Sequence, residues 1–167
     1  LVIITGGIDL SVGSVMGLSS LVTALSFQHG FGSVAAVAAG LATGVVVGAF
    51  NGFLVTRIQL PPFIATLGTL SIGRGLMYII TKGVPVTPDV PDSFTFIGQG
   101  YLGFIPFPVV VMALLAVCFS IVMRRTRFGR HVYATGGNET AALLSGVRTA
   151  RVKFIVYALS GAIAALA

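Results

Sequence analysis

Long apolar segments alternate with short polar or glycine- and proline-rich segments along this sequence. At 1.5 Å of rise per helical residue, about 20 consecutive apolar residues cross the ~30 Å hydrocarbon core of a bilayer. The pattern therefore predicts five membrane-spanning helices, at positions 10–27, 33–56, 63–81, 104–123 and 154–167. We expect the last span to be partial and the sequence to be truncated at both ends, because it has no initiator Met and stops within an apolar run.

The segment 82–103 differs from the spans in composition. It holds prolines and aspartates, with aromatic residues spaced among glycines. Glycine and proline interrupt regular structure, and aromatic rings favour the membrane–water interface. We predict that this segment is external and lies at the membrane surface.

The composition requires a bilayer as the solvent. With 56% hydrophobic residues, 8% charged residues and a mean hydropathy of +1.03, a water-soluble fold would lack the polar surface to cover itself. The predicted fold class is an all-α polytopic membrane protein, a bundle of transmembrane helices in one domain over residues 1–167. The lone Cys118 lies within a span, so an intrachain disulfide is excluded.

Positive charge is concentrated in the segment 124–153. Its seven Lys and Arg residues face a single acid, Glu139, and account for the whole net charge of +6. Short cytoplasmic loops of membrane proteins carry such clusters. We therefore place this loop in the cytoplasm, which puts residues 57–61 inside and residues 28–32 outside. The pI of 10.3 then reflects membrane orientation and not nucleic-acid binding.

The residues around Asn138 predict a short helix within this basic loop. Residues 135–138 have turn chemistry, Asn138 is a good N-cap, and Glu139 in the first turn suits the helix dipole. Gly146 favours a C-terminal stop, so we predict a helix over 139–145. Two turns are marginal alone. The helix either lies against the membrane, with arginines on lipid phosphates, or offers a socket to a cytoplasmic partner.

Small residues recur at every fourth position of the span 33–56. Such a stripe lets a neighbouring helix approach backbone to backbone, so we predict helix packing by Gly40, Gly44, Gly48 and Gly52. Asn51 lies beside the stripe. A buried amide there either joins helices by a hydrogen bond or takes part in a substrate pathway.

Two charged residues in apolar surroundings complete the candidate substrate pathway with Asn51. A charge in the hydrocarbon core is costly and needs a partner or a function. Asp9 follows a pair of glycines, and it either caps the helix at 10–27 or lies at a helix break at membrane depth. Arg74 lies about 18 Å along its helix from Pro62, and it snorkels to the interface, makes a structural contact with a carbonyl, or lines the pathway.

The sequence carries no motif for catalysis or nucleotide binding. It lacks the P-loop pattern G-x-x-x-x-G-K-[ST], the zinc motif H-E-x-x-H and a nucleophile elbow. No cluster of carboxylates with His is present. We therefore expect no enzyme activity, no metal site and no cofactor in this chain.

Four ordered motifs resemble one family of membrane proteins. They are ITGGIDLSVGS at 4–14, NGFLVTR at 51–57, LPPFIATLGTLSIGRGL at 60–76 and RRTRFGRHVYATGGNETAALLSGV at 124–147. Through them the sequence is similar, nearly end to end, to part of the permease subunits of bacterial ATP-binding-cassette (ABC) importers for ribose, xylose, arabinose, galactose and related sugars.

The resemblance implies a function, a location and partners. The basic loop would carry the coupling helix that docks on the ATPase, with Asn138, Glu139, Ala141, Ala142, Ser145 and Gly146 at the matching positions. Thr140 departs from the family, which more often has an acid there. The implied partners are cytoplasmic ABC ATPase subunits, which bind the ATP, a periplasmic sugar-binding protein and a second permease copy in a homodimer. The implied function is import of a ribose-like monosaccharide across the bacterial inner membrane.

Two other functions stay open from the residues alone. An ion-coupled secondary transporter would use the break before position 10 as a midplane site. A membrane anchor would bind partners without transport. The basic loop with its own short helix favours the ABC permease, because a secondary transporter needs no such socket.

Overall fold

The chain folds as a series of helices. A computed structural model describes residues 1–167, with every side chain except that of residue 93. A short 3-10 turn at Ile3–Thr5 comes first. The helices and strands that follow are α1 Val12–Gln28, α2 Ser33–Thr56, α3 Pro62–Thr81, α4 Asp92–Gln99, β1 Tyr101–Leu102, β2 Ile105–Pro106, α5 Phe107–Arg125, α6 Arg127–Gly137, α7 Glu139–Leu144 and α8 Thr149–Leu166.

Helices α1, α2, α3, α5 and α8 occupy the regions of the predicted spans. Within the described part of the chain, α2, α3, α5 and α8 are long and apolar enough to cross a membrane, and α1 is a shorter apolar helix. The all-α polytopic membrane fold class is therefore confirmed. Helix α8 begins at Thr149 and not at position 154, because Arg151 and Lys153 form its first turns ahead of the apolar residues.

The centre of the bundle is the contact between α2 and α8. The glycine stripe of α2 faces α8, where Gly44 and Gly48 lie against Gly161 and Gly52 lies against Phe154. A Cβ added at Gly52 would lie 3.0 Å from the Phe154 carbonyl oxygen, so the two backbones touch. The order of these contacts makes α2 and α8 antiparallel. The end of α2 therefore lies beside the start of α8.

Helices α1 and α3 complete the bundle through small residues. Gly40, the first glycine of the α2 stripe, packs against Thr23 and Ser19 of α1. On the other side of α1, Ser14 packs against Gly73 of α3. In a bilayer, burial of apolar surface contributes little to the association of helices. Helices there usually associate through the close approach of small residues.

The segment predicted to be external contains a helix and a hairpin. Helix α4 is followed by strands β1 and β2, which pair antiparallel with Leu102 opposite Ile105. Phe94 of α4 stacks edge-on against Phe27 at the end of α1, with ring centroids 4.9 Å apart. Aromatic contacts thus hold this segment on one end of the bundle.

Helix α6 corrects the prediction of a turn at 135–138. Gly136 and Gly137 are the last residues of α6, and Thr126 begins this helix by accepting a hydrogen bond from the Gly129 amide (3.2 Å). The helix forms because one face is buried: Val132 is fully buried in a cluster with Met123 of α5 and Val156 of α8. Tertiary packing here overrides the low helix propensity of two glycines.

Candidate functional site

A chain of hydrogen bonds crosses the bundle at the residues before α1. Asp9 stands at its centre, where its Oδ2 accepts from the Ser160 hydroxyl of α8 (2.8 Å) and its Oδ1 accepts from the Ser11 hydroxyl (2.6 Å). Asn51 of α2 donates from Nδ2 to Ser11 Oγ (2.8 Å) and accepts at Oδ1 from the Thr69 hydroxyl of α3 (2.6 Å). The polar chain therefore joins α8, the start of α1, α2 and α3.

Most of this polar chain is sealed from solvent. Asn51 is 0% exposed, Ser11 1% and Thr69 6%, while Asp9 is half-buried. A buried polar group is costly unless it is hydrogen-bonded, and here each group has a partner. The geometry gives Asn51 the role of joining helices and leaves Asp9 as a partly exposed member of the chain.

Asp9 occupies this position because the backbone breaks just before it. Gly6 adopts a left-handed conformation (φ 76°) after the 3-10 turn, and α1 begins only at Val12. Asp9 does not cap the amides of the first helical turn, as one of the two predictions had it. Its Oδ1 accepts from the amide of Ser11, which precedes the helix. Thr66 of α3 also donates to the Ile8 carbonyl (3.3 Å) and holds the break against α3.

The polar chain runs from the half of the bundle nearer the basic loop to about the middle of α8. At 1.5 Å per residue, Asn51 is about 8 Å from the end of α2 at Thr56, and Ser160 is about 16 Å from the start of α8 at Thr149. Both helix ends lie at the basic end of the bundle. In a bilayer, irregular backbone at such a depth would be tolerated when it is buried in protein or lines a cavity.

Two buried hydroxyl groups lack a partner among the described side chains. They belong to Tyr157 of α8 and Ser19 of α1. The Tyr157 hydroxyl rests against Gly7, so a side chain at Gly7 would collide with it. The absence of a side chain at Gly7 therefore lets α8 approach the break directly.

Arg74 lies apart from Asp9 and Asn51. Its side chain is exposed, as are Ser71 and Gly75 of the same helix. Among the described side chains no acid pairs with it. The structure therefore brings two of the three pathway candidates together and leaves the third on an uncovered helix face.

A groove between α1, α2 and α3 adjoins the buried end of the polar chain. It encloses about 240 Å³ and is lined mainly by apolar residues, among them Val15, Phe50 and Leu76, with Thr69 at its base. The lining offers few polar groups, so the groove by itself suits an apolar occupant rather than a sugar.

Helix α7 projects from the basic end of the bundle. Asn138 caps it by accepting from the Ala141 amide (2.9 Å), and Gly146 ends it in the left-handed region (φ 84°). Ala142 is buried against the protein, whereas Ala141 and Leu144 are exposed, Leu144 by 83%. Glu139 and Ser145 are exposed as well. The six residues predicted for coupling therefore lie on one capped, mostly exposed helix that carries an uncovered apolar patch.

An ion pair connects α7 to the bundle. Lys153 of α8 donates to Glu139 Oε2 at 2.6 Å. Sequence reasoning missed this pair, and it missed the partners of Asp9 and Asn51, which are Ser11, Thr69 and Ser160. The sequence does show single Ser and Thr residues inside the apolar spans. It does not show which of their hydroxyl groups form hydrogen bonds with one another.

Sequence comparison finds relatives along the whole chain. A family described as the permease component of the branched-chain amino acid transport system matches residues 1–167. The ribose import permease protein of Bacillus subtilis (strain 168) is 44% identical over 167 residues, which cover 99% of this chain and 52% of that relative. The galactofuranose transporter permease protein of Escherichia coli (strain K12) is 41% identical over 167 residues, covering 100% and 49%.

A third relative has the same coverage. The fructose import permease protein of Rhizobium meliloti is 40% identical over 175 residues, which cover 100% of this chain and 49% of the relative. The chain spans about half the length of the curated relatives it matches. No solved structure gives a significant match.

Proposed function

Because this chain belongs to the family of permease components of the branched-chain amino acid transport system, we propose that it is part of the membrane-spanning permease of an ABC importer for a ribose-like monosaccharide. The family resemblance predicted from four motifs is confirmed. The observation that carries the proposal is the identity of 40 to 44% to permeases named for ribose, galactofuranose and fructose import, which extends over the whole chain.

Helix α7 is the element proposed to receive the ATPase. It is short, capped at both ends and exposed, and it presents Leu144 and Ala141 outward at the basic end. An exposed apolar patch on a rigid element is typical of a protein-binding surface. In this proposal Asn138 and Gly146 fix the ends of α7, Glu139 ties it to α8, Ala142 anchors it, and Ala141 and Ser145 lie on its exposed side.

The contacts of α8 provide a route from α7 to the centre of the membrane. The Glu139–Lys153 ion pair joins α7 to the first turns of α8, and Ser160 of the same helix bonds Asp9 at the break. A helix is stiff along its axis, so a displacement of α7 moves Ser160 with it. ATP-driven closure of the ATPase would then reach the Asp9 break as a shift of α8 relative to α1.

Among the three pathway candidates, Arg74 is proposed to meet the sugar. A lipid-facing arginine close to the middle of the bilayer would cost about 2.5 to 3.5 kcal/mol. Five N–H donors without an acidic partner instead suit the hydroxyl groups of a sugar in a hydrated path. Asp9, which lies apart from Arg74, would border the path at a second position, and Asn51 would support Asp9 through Ser11.

The proposed assembly follows from an importer of this kind. Two ATPase subunits bind ATP on the cytoplasmic side, a periplasmic sugar-binding protein delivers the substrate, and a second permease copy completes the pathway in the bacterial inner membrane. This chain itself binds no ATP in the proposal. An ion-coupled transporter is the second candidate. One observation favours it: the carboxyl group of Asp9 lies at a helix break and has no cationic side chain bonded to it among the described residues.

The test uses the full-length permease in proteoliposomes with its ATPase and binding protein. We expect Ala141→Asp and Leu144→Asp to abolish ribose uptake and sugar-stimulated ATP hydrolysis, since a charge on the exposed side of α7 disrupts apolar docking. Ribose binding by the binding protein stays unchanged. Ala134→Asp, at an exposed position of α6, is the matched control and keeps uptake.

Two outcomes would contradict the proposal. Normal uptake in both α7 variants would remove the docking assignment. Uptake that survives ATP depletion but stops when the ion gradient is collapsed would favour the secondary transporter.

A further inference from the structure

Seven of the eight arginines gather at one end of the bundle. The contact of Gly52 with Phe154 puts the end of α2 beside the start of α8, so Arg57 joins the arginines of the basic loop. The others flank the C-terminal end of α5, lie on α6 and begin α8. We call the set the arginine belt: Arg57, Arg124, Arg125, Arg127, Arg130, Arg148 and Arg151.

All members of the arginine belt are exposed. The nearby acid Glu139 is occupied by Lys153 at 2.6 Å, and Asp9 is bonded to serine hydroxyls within the bundle. The remaining acids, Asp89 and Asp92, belong to the segment on the opposite end. Among the described side chains the belt therefore has no negative partner, and its members repel one another unless an anion lies between them.

The position and chemistry of the belt identify the anion. Five of its members lie at the ends of membrane-spanning helices, which is the level of the lipid phosphates. The other two, Arg127 and Arg130, lie on α6, which begins two residues after the end of α5. The belt is built from arginine and not lysine, and the planar guanidinium binds phosphate oxygens through two parallel hydrogen bonds. Helix α6 adds an amphipathic surface, with Val132 buried and Arg127, Arg130 and the half-exposed Tyr133 outside.

We propose that the arginine belt binds the phosphate groups of anionic membrane lipids in the leaflet at the basic end of the bundle. The belt is chemically distinct from α7, whose outward residues Ala141 and Leu144 are uncharged. Lipid binding thus surrounds the proposed docking helix without covering it. The proposal rests on the membrane fold alone and is independent of the transported substrate.

The experiment measures lipid preference on the full-length permease. Purified protein in detergent receives equal amounts of phosphatidylglycerol and phosphatidylcholine with the same acyl chains, and native mass spectrometry counts the bound lipids. We expect the wild type to retain clearly more phosphatidylglycerol than phosphatidylcholine. Each arginine near an anionic surface contributes roughly fivefold in affinity, so Arg127→Gln with Arg130→Gln lowers the preference by up to about 30-fold.

Matched variants test whether the lipid preference depends on positive charge in the arginine belt or on positive charge anywhere in the protein. Arg74→Gln with Lys82→Gln removes two positive charges outside the belt and keeps the preference within about twofold of wild type. Arg127→Lys with Arg130→Lys keeps the charge but loses the paired hydrogen bonds, so it retains an intermediate preference. Size-exclusion chromatography verifies that each variant remains folded.

Four results would overturn the proposal. The first is an equal affinity of the wild type for both lipids. The second is an equal loss of preference in the control pair. The third is full displacement of phosphatidylglycerol by inorganic phosphate at the same concentration, which would make the belt a site for free anions. If the glutamine pair keeps its lipid preference but fails to bind the ATPase, the belt is a protein interface and the proposal is likewise wrong.

Discussion

The hydrogen bonds of Asn51 predict an unusual energetic relation between Asn51 and Thr69. Thr69→Val removes one hydrogen bond but leaves the Oδ1 of Asn51, a residue that is 0% exposed, without its donor. A buried polar group without a partner costs about 1 to 3 kcal/mol. We expect Thr69→Val to lower the free energy of unfolding by about 2 kcal/mol, although the two side chains have nearly the same shape.

Asn51→Leu removes two hydrogen bonds, yet its cost is smaller. Ser11 still donates to Asp9 at 2.6 Å, and Thr69 still donates to the Ala65 carbonyl at 3.1 Å. Neither partner is left without a hydrogen bond. Side-chain hydrogen bonds between membrane helices average about 0.6 kcal/mol, so the loss of two amounts to about 1 kcal/mol.

The double variant tests the reasoning. In the Asn51→Leu background, Thr69→Val removes only a bond within its own helix, so the double variant should cost about 1 kcal/mol and not the additive ~3 kcal/mol. Thr43→Val is the control, since Thr43 bonds only the Ala39 carbonyl one turn back in α2. It should cost less than about 0.5 kcal/mol.

Reversible unfolding in bicelles measures these free energies. Additive costs for Asn51→Leu and Thr69→Val would refute the hydrogen bond between them. A cost for Thr43→Val equal to that for Thr69→Val would show that any threonine hydroxyl in an apolar helix behaves in this way.

Three further predictions follow from the packing, the ion pair and the orientation. Gly48→Ala should destabilise the fold by about 1 to 3 kcal/mol in the same unfolding assay, because the added Cβ would collide with α8. Gly68→Ala is the control: the added Cβ meets open space, so this variant should be neutral or stabilising by up to about 1 kcal/mol. Lys153→Gln should change the free energy of unfolding by less than about 1 kcal/mol, since the Glu139 side chain is 47% exposed. The variant should nevertheless slow sugar uptake. The exchanged pair Glu139→Lys with Lys153→Glu should restore uptake. In a Cys118→Ser background, Ser145→Cys should react with a membrane-impermeant thiol reagent only from the cytoplasmic side and Asp92→Cys only from the outside; the opposite labelling would reverse the orientation.

The sequence predicts the helices well because their cause is local. Apolar runs of the right length, the cap at Asn138 and the glycine at 146 are properties of neighbouring residues, and the structure forms helices where they predicted them. Helix α6 was missed because its apolar residues are few and it ends in two glycines. Its stability comes from packing between α5, α8 and the 3-10 turn, which no local pattern records.

The polar chain could be predicted only in part. The positions of Asp9 and Asn51 in apolar surroundings identified them as candidates. Their partners, however, come from residues far apart in the chain, as with Asp9 and Ser160 or Asn51 and Ser11. Which hydroxyls meet depends on how the helices rotate about their axes, and small-residue contacts such as Gly48 on Gly161 fix that rotation. A single sequence contains no measure of it.

The backbone contact between α2 and α8 has a consequence for biosynthesis. Roughly 90 residues separate the end of α2 from the start of α8, and ribosomes add about 5 to 20 residues per second, so α2 waits in the bilayer for about 5 to 20 s before its main neighbour is made. During that interval its bare glycine surface faces lipid or an insertion chaperone. The contact between α2 and α8 therefore forms only several seconds after α2 itself has been synthesised.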